Sequence, residues 1–149
     1  METELNKHKS IKFATEVTEL CLKINNCRGM LERNSEERLF REQLEQLCRE
    51  VLEMAKDLNY SALLIALFDA YEITRDEAML QQVLDVVGDN LEHIENSSEN
   101  VKLLSYCYYY TEDEECALLA RKMIRWLQAE GEGITAESMA VFRDLVEEY

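Results

Sequence analysis

A chain of 149 residues, 47% hydrophobic and 32% charged, has the size and balance of one folded domain, which argues against both a disordered chain and two independent cores. It has no proline and only four glycines (Gly29, Gly88, Gly131 and Gly133), so almost nothing interrupts helices. Its net charge is -15 and is uneven: residues 1–60 hold ten Lys/Arg against twelve Asp/Glu, and residues 61–149 hold six against nineteen, a surface that repels phosphate backbones and argues against direct nucleic-acid binding.

Residues 1–9 are polar and charged, without the apolar run of a signal peptide, and read as a flexible N-terminus. The first helix is expected over about 10–33, where Phe13, Val17, Leu20, Ile24, Cys27 and Leu31 alternate spacings of four and three as a heptad seam. Asn34 and Glu37 suit a helix start, and a second seam follows to about residue 57 through Phe40, Leu44, Leu47, Val51, Met54 and Leu58. Two matched seams across a short connection read as an antiparallel helical hairpin over residues 10–58. Core packing is the ordinary use of such seams, and a homodimer is the alternative.

From residue 60 the helices shorten. Helix three, about 60–72, is apolar around most of its circumference (Leu63, Leu64, Ala66, Leu67, Phe68, Tyr71) and is therefore central. Thr74-Arg75-Asp76-Glu77 has the S/T-x-x-E form of a capping box and starts helix four, with Met79, Leu80, Val83, Leu84, Val86 and Val87. Asn96-Ser97-Ser98-Glu99 opens helix five, in which Val101, Leu104 and Tyr108 share a face. Thr111-Glu112-Asp113-Glu114 repeats the capping box before helix six, with Cys116, Leu119, Ala120, Met123, Ile124, Trp126 and Leu127 as its apolar positions. Gly131-Glu132-Gly133 ends that helix. Thr135 caps a seventh, with Ile134 and Met139 placed for a hydrophobic staple and Val141, Phe142 and Leu145 on its apolar face. The fold class is all-α, about seven antiparallel helices in a single domain.

A shift of 37 residues superposes Leu67 on Leu104, Tyr71 on Tyr108, Thr74 on Thr111, Asp76 on Asp113 and Glu77 on Glu114. A period of this size points to stacked helical hairpins. A further step brings Leu104 onto Val141, making helix seven the first half of a third, capping unit. On these residues, the segment 60–127 resembles a tetratricopeptide-like α-helical repeat, an α-solenoid: an A helix with Tyr71 or Tyr108 near its end, a tight turn, and a B helix holding Ala78 or Ala120. The resemblance implies a protein-interaction scaffold whose A helices line a concave surface.

Motifs for catalysis are sparse. His8 and His93 are the two histidines, neither with a Cys or His at metal-ligand spacing. The cysteines (Cys21, Cys27, Cys48, Cys107 and Cys116) are odd in number, lack any C-x-x-C, and lie on or beside apolar stripes. They read as buried free thiols in a reducing, cytoplasmic setting, with no metal and no disulfide. No phosphate-cradling glycine loop is present, so no cofactor is expected. The acidic runs Glu36-Glu37, Glu112-Asp113-Glu114-Glu115 and Glu147-Glu148 suit helix ends and lack the ligand pattern of a calcium loop.

The most unusual local feature is Tyr106-Cys107-Tyr108-Tyr109-Tyr110. Four tyrosines in five helical positions cannot all point inward, so Tyr106, Tyr109 and Tyr110 are the expected partner-binding residues, with Tyr108 joining the core. The leading functional expectation is a protein–protein interaction module for a protein or peptide partner, of basic character given the acidic surface. An acidic antagonist of a nucleic-acid-binding protein is the alternative. An enzyme with a carboxylate site is the least favoured.

Overall fold

A chain free of proline meets few obstacles to helix, and the computed structural model is 88% helical, with seven α-helices and no strand among the described residues. The described backbone covers residues 2–28, 34–55 and 61–147, and the described side chains are those of 11–27, 36–55 and 61–147. The helices are α1 (Glu2–Arg28), α2 (Asn34–Met54), α3 (Ser61–Thr74), α4 (Glu77–Asn90), α5 (Ser98–Thr111), α6 (Glu114–Ala129) and α7 (Ala136–Phe142). A 3₁₀ turn (Leu91–His93) follows α4, and a π-helical segment (Arg143–Glu147) follows α7. The all-α fold class read from the sequence is thus observed. The chain forms two compact units, 1–86 and 87–149.

In the first unit, α1 packs on both α2 and α3, and α2 also meets α3. Both heptad seams are spent on this packing: Val17, Ile24 and Cys27 of α1 and Leu44, Leu47 and Val51 of α2 are buried. Leu20 is only half-buried and its neighbour Cys21 takes the inner position, one residue round from the expected stripe. Leu31, Leu58 and the side chains of Asn34 and His8 lie outside the described residues.

Helix α1 starts at Glu2 and not near residue 10, because residues 2–9 contain neither proline nor glycine and are rich in Glu, Lys and Leu, which extend a helix beyond the packed seam. Helix α3 buries ten of its fourteen residues, in line with its all-round apolar sequence. Arg41 ties α2 to its end, with Nη1 donating to the Ile73 carbonyl at 2.8 Å and Nη2 pairing with Glu37 at 3.2 Å.

The second unit is organised on α5, which packs against α6, α7 and the π-helical segment. Val101, Leu103, Leu104 and Cys107 of α5 meet a core that includes Cys116, Ala117, Ala120, Met123, Ile124 and Leu127 of α6 and Phe142 and Val146 beyond. Trp126, read as apolar core from its composition alone, is 42% exposed. The residues that α6 buries centre on the line Cys116, Ala120, Met123, Leu127, and Trp126 lies about 100° away from Leu127 around the helix. Helix α6 stops at Gly131, whose φ of 74° is the left-handed region glycine favours; Gly131 N–H donates to Gln128 and Glu132 N–H to Leu127 in a Schellman arrangement.

Thr135 caps α7 as its sequence suggests, accepting from Ser138 N–H at 3.1 Å. It is itself held by α5: Thr135 N–H donates to Ser98 Oγ at 2.9 Å, and Ser98 Oγ donates to Thr135 Oγ1 at 3.1 Å. Phe142 is buried while Val141 and Leu145 are half-buried, because the wider π turn brings Val146 inward in place of Leu145.

Candidate functional site

The junctions after α3 and α5 are built alike. Arg75 and Glu112 each occupy the left-handed region, at φ 53° and 58°. Their N–H groups reach back to the carbonyls of Tyr71 and Tyr108. Thr74 and Thr111 are the last residues of their helices, and each accepts a hydrogen bond from the backbone of the Asp two residues on. The caps of the following helices are therefore Asp76, accepting from Ala78 and Met79, and Asp113, accepting from Glu115.

This corrects the capping-box reading, in which the threonines were the caps. A left-handed residue after each Thr ends one helix and displaces the next start by two positions. The glutamates, freed from a capping role, turn to the tyrosines: Tyr71 donates to Glu77 Oε1 at 2.5 Å and Tyr108 to Glu114 Oε1 at 3.4 Å. Glu77 holds the Tyr71 hydroxyl above its ordinary pKa, with burial adding to the effect, and Arg75, 5.7 Å from the ring centre, opposes it.

The tyrosine run occupies the last turns of α5, whose start is fixed by Ser97 Oγ accepting from Asn100 N–H. Cys107 is the buried member of the run; Tyr106, Tyr108 and Tyr110 are half-buried, and Tyr109 is 47% exposed. Tyr109 and Tyr110 meet edge to face, with ring centres 5.0 Å apart at 78°. Tyr108, Tyr109, Glu112 and Leu145 line an open depression of about 140 Å³. Of the three tyrosines expected to bind a partner, Tyr109 lines it, Tyr110 buttresses Tyr109, and Tyr106 is not among the lining residues.

Tyr108, assigned to the core from its spacing with Val101 and Leu104, is half-buried, and its hydroxyl points to Glu114 at the start of α6. Glu112 and Leu145 were not singled out by sequence. Glu112 falls on the variable position of the repeated Tyr-x-x-Thr-x-Asp-Glu pattern, where the first copy has Arg75, and Leu145 depends on a π turn without a sequence mark.

A volume of about 140 Å³ is well below the 300–1,000 Å³ usual for small-molecule sites and is of the size of one side chain. The buried polar side chains among the described residues are Ser61, Asn100, Ser105 and Ser138, and none is a carboxylate. No group of three His, Cys, Asp or Glu that could hold a metal ion occurs among the described residues. No helix among them is long and apolar enough to cross a membrane.

All five cysteines are buried free thiols. Burial pushes Cys21 up to about 11, Cys48 to about 12 and Cys116 to about 11, and raises Cys107 further. Asp69 adds to the effect at Cys21, Cys21 itself at Cys48, and Asp113 with Glu115 at Cys116. Such thiols are poor nucleophiles at neutral pH. The chain matches no protein family, no curated protein and no solved structure.

Proposed function

We propose that the protein is an interaction module that captures a basic side chain of a protein or peptide partner in the depression of its second unit. The observation that carries this reading is the lining itself, two tyrosine rings and Leu145 with the exposed carboxylate of Glu112 beside them. Aromatic and aliphatic walls suit the methylene stem of Lys or Arg, the rings attract its cation, and Glu112 neutralises the head group. The adjoining carboxylates of Asp113, Glu114 and Glu115 are all exposed and raise the local concentration of a basic segment.

Two further readings belong with it. The α3–α4 and α5–α6 pairs, whose helices start 37 residues apart and whose junctions share their hydrogen bonds, are read as copies of one tetratricopeptide-like unit. The five buried thiols fit a reducing cytoplasmic compartment.

Selection of peptides from a random phage-displayed library on the full chain tests the proposal. Enriched peptides should carry Lys or Arg beside apolar residues and lose binding to Tyr109→Ser, to Glu112→Gln and in raised salt. Enrichment of no peptide, or of peptides indifferent to both substitutions, would overturn it.

A further inference from the structure

Helix α6 carries a second surface, separate from the tyrosine depression. Because Cys116, Ala120, Met123 and Leu127 turn inward, the helical period sets Glu115, Leu118, Lys122 and Arg125 in a row along the outer side, with Trp126 next to them. All five are exposed, Leu118 by 50% and Trp126 by 42%. Two large apolar side chains thus stand in water on a helix whose inner face is already filled.

The charges on this face are sorted along the helix. Of the six Lys/Arg in residues 61–149, three fall here, Arg121, Lys122 and Arg125, while the first turn carries Glu114 and Glu115. The cations have no acidic neighbour one turn away within α6: Ala117 and Arg125 flank Arg121, Leu118 and Trp126 flank Lys122, and Arg121 and Ala129 flank Arg125. None of the three makes an ion pair among the described residues. One end of the outer face is therefore negative and the other positive, with apolar groups between.

A surface of this kind is complementary to itself when reversed. Laid antiparallel on a second copy, Glu115 comes opposite Arg125 of that copy, and Leu118 lies on the methylene stem of its Lys122. The two-fold axis repeats every pairing. A parallel arrangement would instead set glutamate against glutamate and arginine against arginine.

We infer that the outer face of α6 is an antiparallel docking surface for a second copy of this chain. Sixteen helical residues extend about 24 Å, so the contact falls below the roughly 1,200 Å² of a standard stable interface and the dimer is weak and sensitive to salt.

Sedimentation velocity on the full-length protein across a concentration series tests this. Wild type should shift from monomer toward dimer as concentration rises, and shift back in high salt. Arg125→Glu sets like charges opposite each other twice and should weaken association about tenfold or more, and adding Glu115→Arg should recover most of the loss. Leu118→Gln should weaken it without altering charge. All three positions are exposed, so helix content by circular dichroism should match wild type throughout. A wild type that stays monomeric up to about millimolar concentration, where even weak specific contacts are populated, would overturn the inference. So would a dimer indifferent to Arg125→Glu, or a charge-swapped double variant that fails to recover.

Discussion

Replacing Glu112 by glycine should make the protein more stable, although it removes every side-chain atom from a residue lining the tyrosine depression. Glu112 sits at φ 58°, where a Cβ costs about 1–2 kcal/mol relative to glycine. Glycine gives back about 0.5–1 kcal/mol through the greater freedom of the unfolded chain. The Glu112 side chain has no hydrogen bond or ion pair among the described residues, and it adds one like charge to a run of four. A net gain of about 0.5–1 kcal/mol follows, or roughly 1–4 °C in melting temperature for a chain of this length.

Arg75, at φ 53°, is the internal comparison. It stacks near the Tyr71 ring at 5.7 Å and pairs with Glu72 at 3.4 Å, so Arg75→Gly loses contacts that Glu112→Gly does not. Its net effect should lie near zero. Glu112→Ala, which keeps the Cβ, should not stabilise. Urea unfolding followed by circular dichroism at neutral pH ranks the three variants. The reasoning fails if Glu112→Gly destabilises, or if Glu112→Ala stabilises as much, since the gain would then come from charge and not from backbone relief.

Three other expectations are open to measurement. Asp113→Ala should cost about 1 kcal/mol because it removes the hydroxyl-free cap of α6, and Thr111→Ala should cost less than Asp113→Ala; equal losses in urea titration would restore the threonine to the capping role. The thiols should label with a disulfide reagent far more slowly in the folded than in the urea-unfolded protein at pH 8. The raised folded pKa values of Cys21 and Cys116 also fix a sign: the unfolded thiols ionise near about 8.5, so the stability these two contribute is whole below that pH and is lost as pH climbs toward about 11. For Tyr71, raised by its bond to Glu77, the contribution is present below the ordinary tyrosine pKa and lost as pH rises through the folded one; in absorbance titration Tyr71→Phe should delete a late-ionising phenol.

The residues that packed as their sequence suggested are those whose burial follows from helical period alone. Val17, Ile24, Leu44 and Val51 lie on two seams that face each other and α3, and the apolar circumference of α3 buries most of that helix. Where sequence reading slipped, a local backbone event had changed the count. The left-handed turns at Arg75 and Glu112 moved the caps from threonine to aspartate, and the π turn after Phe142 moved an inward position from Leu145 to Val146. Neither event carries a glycine to announce it. The candidate depression was half legible for the same reason: the tyrosine run marked Tyr109, while Glu112 and Leu145 reach it through those two irregular turns.

The hydroxyl pair of Ser98 and Thr135 has a consequence for how the second unit opens. Helix α7 has seven residues, too few to persist on helical propensity, and the residue that starts it is bonded through both its amide and its hydroxyl to the first turn of α5. Its amides should therefore exchange with deuterium in step with the first turn of α5, as one cooperative event, and not fray progressively from the C-terminal side. Loss of Ser98 Oγ would uncouple the two, leaving α7 to exchange on its own faster clock while α5 stays protected.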